Sequence, residues 1–417
     1  MKKTITLFVS VIMILNASTY AFANETDFSA QAKTTLDNHS SEEWTDPNES
    51  IPLINSEENK DKNTVNTTTI ENSVDNSMKD ECYDIYSDEI LENYEPIQNN
   101  TENNEEFDKS LNSETWVKKG NLFNRTNGAE YIVQGFAVGT NYCYSVEMSS
   151  DESSHRLYRK NLNNNSDAEL MIPYGTIDSL GHSNDMCLVT YVDTNNTTHY
   201  YLYVVVHFNT RANSYIVKLE YSGNTYWQVA RYNLSAQYAS ISKVKYYTNS
   251  SGEAMVQFLL RKGNEYYTAS VRRGQSGSTP FSLATTKRFT VSKPSAYAYY
   301  ANQGIHYESN KLYTPLFGYN AGAGSNNPNQ LKKNVILVYN VSNTVLSSTT
   351  ISNLTWNKAV IVQANTSSLN KFEIEGIGFS VNNPNLNNDL MWFNTNEKNS
   401  SNVEISGGIY LDSQNIK

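Results

Sequence analysis

The sequence predicts an all-β protein, a five-bladed β-propeller preceded by a signal peptide and a disordered acidic segment. Three observations lead there. From about residue 116 onward, short runs rich in Tyr, Val, Ile, Thr and Phe alternate with Asn, Gly and Ser clusters, the composition of strands and turns. That region contains no amphipathic helical period of ten residues or more. A phrase that sets an amide, carboxylate or imidazole beside a glycine, at the head of an apolar run, recurs at intervals of some tens of residues, as a repeated β unit requires.

Residues 1–23 read as a secretion signal: Lys2 and Lys3 form a charged start, an apolar run follows, and Ala21-Phe22-Ala23 offers small residues for cleavage. No later stretch is apolar for long enough to span a bilayer, so the expected product is secreted, extracellular and free of transmembrane segments. Residues 24–115 are rich in Asn, Ser, Thr, Asp and Glu, with apolar residues too scattered to bury a core, and are expected to be disordered. Residues 24–119 hold 24 Asp and Glu against 7 Lys and Arg, whereas residues 120–417 hold 19 against 23. The chain's net charge of −11 therefore belongs to the segment, and the folding part is slightly basic. A segment of this charge could lie across the basic face of the domain and block it until export or proteolysis. Within it, residues 81–91 suit either a short docking helix or a hydrophobic island in a linker.

The folding part, residues 116–417, follows in units. Tyr200-Tyr201-Leu202-Tyr203-Val204-Val205-Val206-His207-Phe208, Tyr215-Ile216-Val217-Lys218-Leu219-Glu220-Tyr221, Met255-Val256-Gln257-Phe258-Leu259-Leu260 and Asn334-Val335-Ile336-Leu337-Val338-Tyr339 are strands by composition and length. Roughly 300 residues exceed one sandwich. Gln134, Asn184, the stretch 237–241, Gln303 and Glu375 divide them into five units, each able to supply four strands. The third lacks the polar-glycine phrase. Two packed sandwiches are the alternative architecture.

In a propeller the head of each inner strand faces the central channel, which makes Gln134, His182, Asn184, Asp185, Gln303, His306 and Glu375 the candidate ligand or channel residues. Asn184, Asp185 and Glu375 are oxygen donors of the kind calcium takes, with Gln134 and Gln303 as outer partners. The same groups would equally serve as turn caps and acceptors for backbone amides. His155, His182, His199, His207 and His306 show no zinc spacing. Cys143 and Cys187 either pair between blades or stand as buried thiols, with Cys82 left over. Nucleophile-elbow, phosphate-loop and zinc-protease motifs are missing; Ser276 lies in a Gly/Ser turn. Asp185 and Glu375 would also be the pair a glycosidase needs. Aromatic residues, including Trp227, Trp356 and Trp392, and the Gly/Asn-rich stretch 317–329 suit sugar recognition or plain packing and connection. No nucleic-acid partner is expected.

Three phrases, Gln134-Gly135-Phe136-Ala137-Val138, Leu180-Gly181-His182-Ser183-Asn184-Asp185-Met186 and Phe372-Glu373-Ile374-Glu375-Gly376-Ile377, resemble those of exported bacterial β-propellers of the helveticin-J-like class. Ser183 stands where that class has Ala or Gly. The resemblance implies a secreted propeller that binds a bacterial cell-envelope polymer or glycan, with a bacteriocin-like antibacterial role. A calcium-dependent channel enzyme of the lactonase or hydrolase type is the competing reading.

Overall fold

The computed structural model describes residues 116–122, 131–149, 152–207, 212–318, 333–364, 369–380, 390–399 and 404–412. The signal peptide, the acidic segment, Cys82 and most of the Gly/Asn-rich stretch fall outside the described residues.

Five sheets follow one another around a ring. The first blade runs outward through Tyr131–Val138, Tyr142–Ser149, His155–Asn161 and Glu169–Leu170. The second uses His182–Val192, Thr198–His207, Tyr215–Ser222 and Thr225–Asn233, and the third Ser240–Thr248, Ala254–Lys262, Glu265–Arg272 and Thr286–Val291. In the fourth, two short pieces, Ala301–Asn302 and His306–Glu308, share the inner position before Lys311–Phe317, Lys333–Asn340 and Lys358–Gln363. The fifth consists of Leu369–Phe379, Met391–Asn399 and Gly408–Asp412, and its outermost strand is Trp116–Asn121, the first strand of the domain, antiparallel to Gly408–Asp412. The first and last strands of the domain are thus joined in one sheet, which closes the ring. The five inner strands pack side by side in a cycle, and the sandwich alternative is excluded.

Because every blade is covered on both faces, its strands carry apolar side chains on both, which is why they read as near-continuous hydrophobic runs. Along the second blade, Leu188, Leu202 and Val204 pack towards the first blade, while Val189, Tyr201, Tyr203 and Val205 pack towards the third. The core accordingly consists of five clusters, one per joint between blades. Most aromatics fill these layers: Trp116 and Trp392 are fully buried in the joints flanking the fifth blade. Cys143 lies in the joint between the fifth and first blades and Cys187 in that between the second and third, so the pairing alternative fails and both are free thiols. Burial pushes the Cys143 thiol up to about 12.

The polar-glycine phrases have a common structural cause. The ladder slips between Val133 and Phe136, between His182 and Asp185, and between Ile374 and Gly376, and the fourth inner strand is interrupted at residues 303–305. A bulge bends the strand and re-aims a side chain. Each phrase is therefore the place where an inner strand turns into the hub. Glycine is needed there for close approach: a Cβ on Gly135 would lie 2.8 Å from the Ser183 carbonyl oxygen, and one on Gly376 2.6 Å from Phe136 Cβ. Gly135→Ala is expected to cost about 2–3 kcal/mol, the range of an overpacked core site, because its obstacle is backbone. A urea-unfolding midpoint unchanged from wild type would contradict this.

Candidate functional site

At the hub one carboxylate joins three blades. Asp185 is fully buried. Its Oδ1 accepts the Met186 amide at 3.0 Å, and its Oδ2 accepts those of Ile241 at 3.2 Å and Ile305 at 2.8 Å, from the third and fourth blades. Burial pushes this carboxyl well above the usual range, and the three amides with the nearby Arg261 guanidinium pull it back. Gly304 makes the approach feasible, since a Cβ there would lie 3.1 Å from both Asp185 Oδ1 and the Glu375 carbonyl oxygen. The Gly304 amide itself donates to that Glu375 carbonyl at 2.9 Å, linking the fourth blade to the fifth.

Buried asparagines complete the cycle. Asn394 accepts the Gly376 amide at 2.8 Å and donates to the Gln134 carbonyl at 2.7 Å, while Asn396 accepts the Val133 amide at 2.7 Å and donates to its carbonyl at 3.0 Å. Asn334 bridges the fourth and fifth blades in the same way, through the Ile374 amide and the Phe372 carbonyl. Amide side chains suit this role because each carries both a donor and an acceptor, matching the two groups an exposed strand edge presents.

Glu375 is buried beneath the mouth, bonded to Asn396 Nδ2 and to Glu373. Burial and then the neighbouring Glu373 raise its carboxyl well above the usual range. Glu373 accepts Gln303 Nε2 at 2.7 Å and forms an ion pair with Lys371. Gln303 also ties in the third blade, its carbonyl accepting Arg261 Nη2 at 2.6 Å while Arg261 grips Ser240 Oγ.

The calcium set does not fit this arrangement. Asp185 directs its oxygens at three amides, and Glu375 is pushed towards its protonated form beside Asn396, so neither presents a free anionic ligand. Among the described residues no group of three or more His, Cys, Asp or Glu side chains is placed to hold a metal ion. Asn184 remains at the bulge, and its Oδ1, like the Ser183 Oγ beside it, is buried without a hydrogen-bond partner. Gln134 is buried in the hub through its backbone, and His306 lies against the Phe379 ring with 5.3 Å between centroids, packed in the joint between the fourth and fifth blades.

The inner strands begin at the upper face, and several polar side chains gather there. His182 is half-buried there, 3.4 Å from Glu152 Oε1, which comes from the hairpin of the first blade, and its ring lies 6.5 Å from that of His207. Burial holds both imidazoles below their ordinary value, against the pull of Glu152. Both are neutral near pH 7. Lys371 Nζ lies 5.4 Å above the Phe317 ring on the same side. Tyr299, in the connection entering the fourth inner strand, is 75 % exposed. The sequence-based list held His182 and Gln303 of this rim; Glu152, His207, Glu373, Lys371 and Tyr299 were missed, since they come from hairpins and connections that carry no repeated phrase.

No family model matches the sequence, and a search of curated proteins returns no match. Among solved structures, the chain is similar to an exo-β-1,3-galactanase from Phanerochaete chrysosporium with galactose, at 11 % identity over 71 % of this chain and 64 % of that one, TM-score 0.36. It is similar to a Penicillium chrysogenum α-L-arabinanase complexed with arabinobiose, at 10 % identity over 71 % of this chain and 98 % of that one, TM-score 0.35. A xylan β-1,4-xylosidase from Bacillus halodurans C-125 gives 7 % identity over 68 % and 53 %, with TM-score 0.35. The chain spans a little under two thirds of the galactanase's length.

Proposed function

We propose that this protein is a secreted glycan-binding propeller whose ligand, a bacterial cell-envelope polysaccharide, rests on the upper face over the hub. One observation carries the reading: the rim combines an exposed aromatic plane at Tyr299 with neutral imidazoles at His182 and His207, the Glu152 carboxylate and the Gln303–Glu373–Lys371 group. Sugars need this mixture, an apolar plane for the ring and donors and acceptors for its hydroxyls. The resemblance to helveticin-J-like propellers supplies the envelope as target, and a bacteriocin-like outcome would follow from binding there. The channel-enzyme reading has less behind it, because the Asp185 carboxylate is sealed from solvent.

The test is retention of the full chain on purified bacterial cell-wall sacculi. Tyr299→Ala is expected to weaken retention about tenfold, equivalent to ~1.4 kcal/mol, with the melting temperature unchanged. Glu152→Gln should weaken it less. Absence of wall binding by the wild type, or binding indifferent to both substitutions, would count against the proposal.

A further inference from the structure

The lower half of the third inner strand, Ser240–Thr248, is unlike its counterparts. Past the bulge at Val244 it emerges from the core, with Lys245 exposed and Tyr246 37 % exposed. Tyr246 is flanked by two cations, Lys243 Nζ at 5.0 Å and the Arg273 guanidinium at 4.6 Å from its ring centre, and Lys245 lies 6.0 Å from the Tyr247 ring. None of these three cations forms an ion pair with a carboxylate among the described residues, and Arg273 Nε is buried without a hydrogen-bond partner. The neighbouring Arg272, by contrast, is paired with Glu253. A cationic, tyrosine-bearing patch with its charge uncompensated calls for an anionic partner that also offers apolar groups.

We propose that this partner is the chain's own acidic segment, docking through residues 80–92. That stretch, Asp80-Glu81-Cys82-Tyr83-Asp84-Ile85-Tyr86-Ser87-Asp88-Glu89-Ile90-Leu91-Glu92, holds six carboxylates and no Lys or Arg, together with two tyrosines and three aliphatic residues. Topology puts the patch and the point where the chain enters the domain on one side of the ring. Trp116 pairs with Asp412 at the lower end of the fifth blade, so the segment enters the domain from the lower face, and Tyr246 and Arg273 also lie at the lower end of their blade. The intervening residues 93–115 reach at most roughly 75–80 Å when extended, enough to cross a propeller of ordinary size. The upper face stays open, so this docking is independent of the proposed glycan site.

Carbodiimide cross-linking of the full chain, which joins carboxylates to lysine amines in contact, is expected to link Lys243 or Lys245 to residues 80–92, and to stop doing so in about 0.5 M NaCl, where the screening length is only a few ångströms. With inorganic polyphosphate as probe, a variant carrying Asn and Gln in place of the six acidic residues of 80–92 should bind at least tenfold more tightly than wild type. In that variant, Lys243→Glu with Lys245→Glu should abolish the gain. Links spread over Lys262, Lys311 and other lysines, or equal polyphosphate binding with and without the six carboxylates, would overturn the proposal.

Discussion

Asp185→Ala is expected to destabilise the protein by about 3–5 kcal/mol, the cost of removing one member of a buried hydrogen-bonded charge cluster, and to lower the melting temperature by roughly 5–10 °C for a domain of this size. The loss goes beyond one side chain. Three buried amides, those of Met186, Ile241 and Ile305, lose their acceptor together, and each unsatisfied buried group is costly. Arg261, itself buried and held below its ordinary value by burial, loses the favourable charge of the Asp185 carboxylate. Asp185→Asn preserves the shape but turns an NH2 group towards an amide donor, so its effect should be intermediate. Thermal and urea unfolding of the three proteins check the order; a loss under about 1 kcal/mol for the alanine variant would mean that the carboxylate does not hold the blades.

Glu375→Gln should act in the opposite direction. The folded protein holds this carboxyl well above its ordinary value of 4.5 because burial and Glu373 penalise the charged form. A group whose folded pKa is raised gives its full stabilisation below the unfolded pKa and loses it as pH rises towards the folded one. Wild-type stability is therefore expected to decline with rising pH from about 4.5 upward, by as much as ~1.4 kcal/mol per pH unit for one proton. Glutamine keeps an oxygen for Asn396 Nδ2 and supplies a permanent N–H towards Glu373, reproducing the protonated state. The variant should match wild type at pH 4 and exceed it by a growing margin as the pH rises towards 8. Denaturant unfolding at a series of pH values decides it: parallel curves for the two proteins would show that Glu375 is ionised in the fold.

The architecture was legible in the sequence because its cause is local. Burial on both faces makes strands such as Tyr200–Val206 almost wholly apolar, and the need to bend each inner strand into the hub leaves Gln134-Gly135, Ser183-Asn184, Gln303-Gly304 and Glu375-Gly376 at regular places. The third blade escaped the pattern because Ser240, bonded to Arg261, does with a hydroxyl what the others do at a bulge near glycine. The bonding scheme was not legible. Asn394 and Gln134 are 260 positions apart and Asp185 and Ile305 are 120 apart, and nothing in the local pattern of either partner signals the other. For the same reason Asp185 and Glu375, read as metal ligands by residue type, proved to be committed to protein hydrogens. Residue type announces what a carboxylate is able to hold; only the neighbours determine what it holds.

One carboxylate binds backbone from three blades, and amide hydrogen exchange reports on it directly. In wild type the Ile241 and Ile305 amides, buried and both bonded to Asp185 Oδ2, should exchange among the slowest in the protein. In Asp185→Ala, which removes the acceptor altogether, under conditions where the variant remains folded, both should accelerate together while the Val204 amide, in the middle of its own sheet, stays slow. Acceleration of neither, or of only one, would contradict the shared hub.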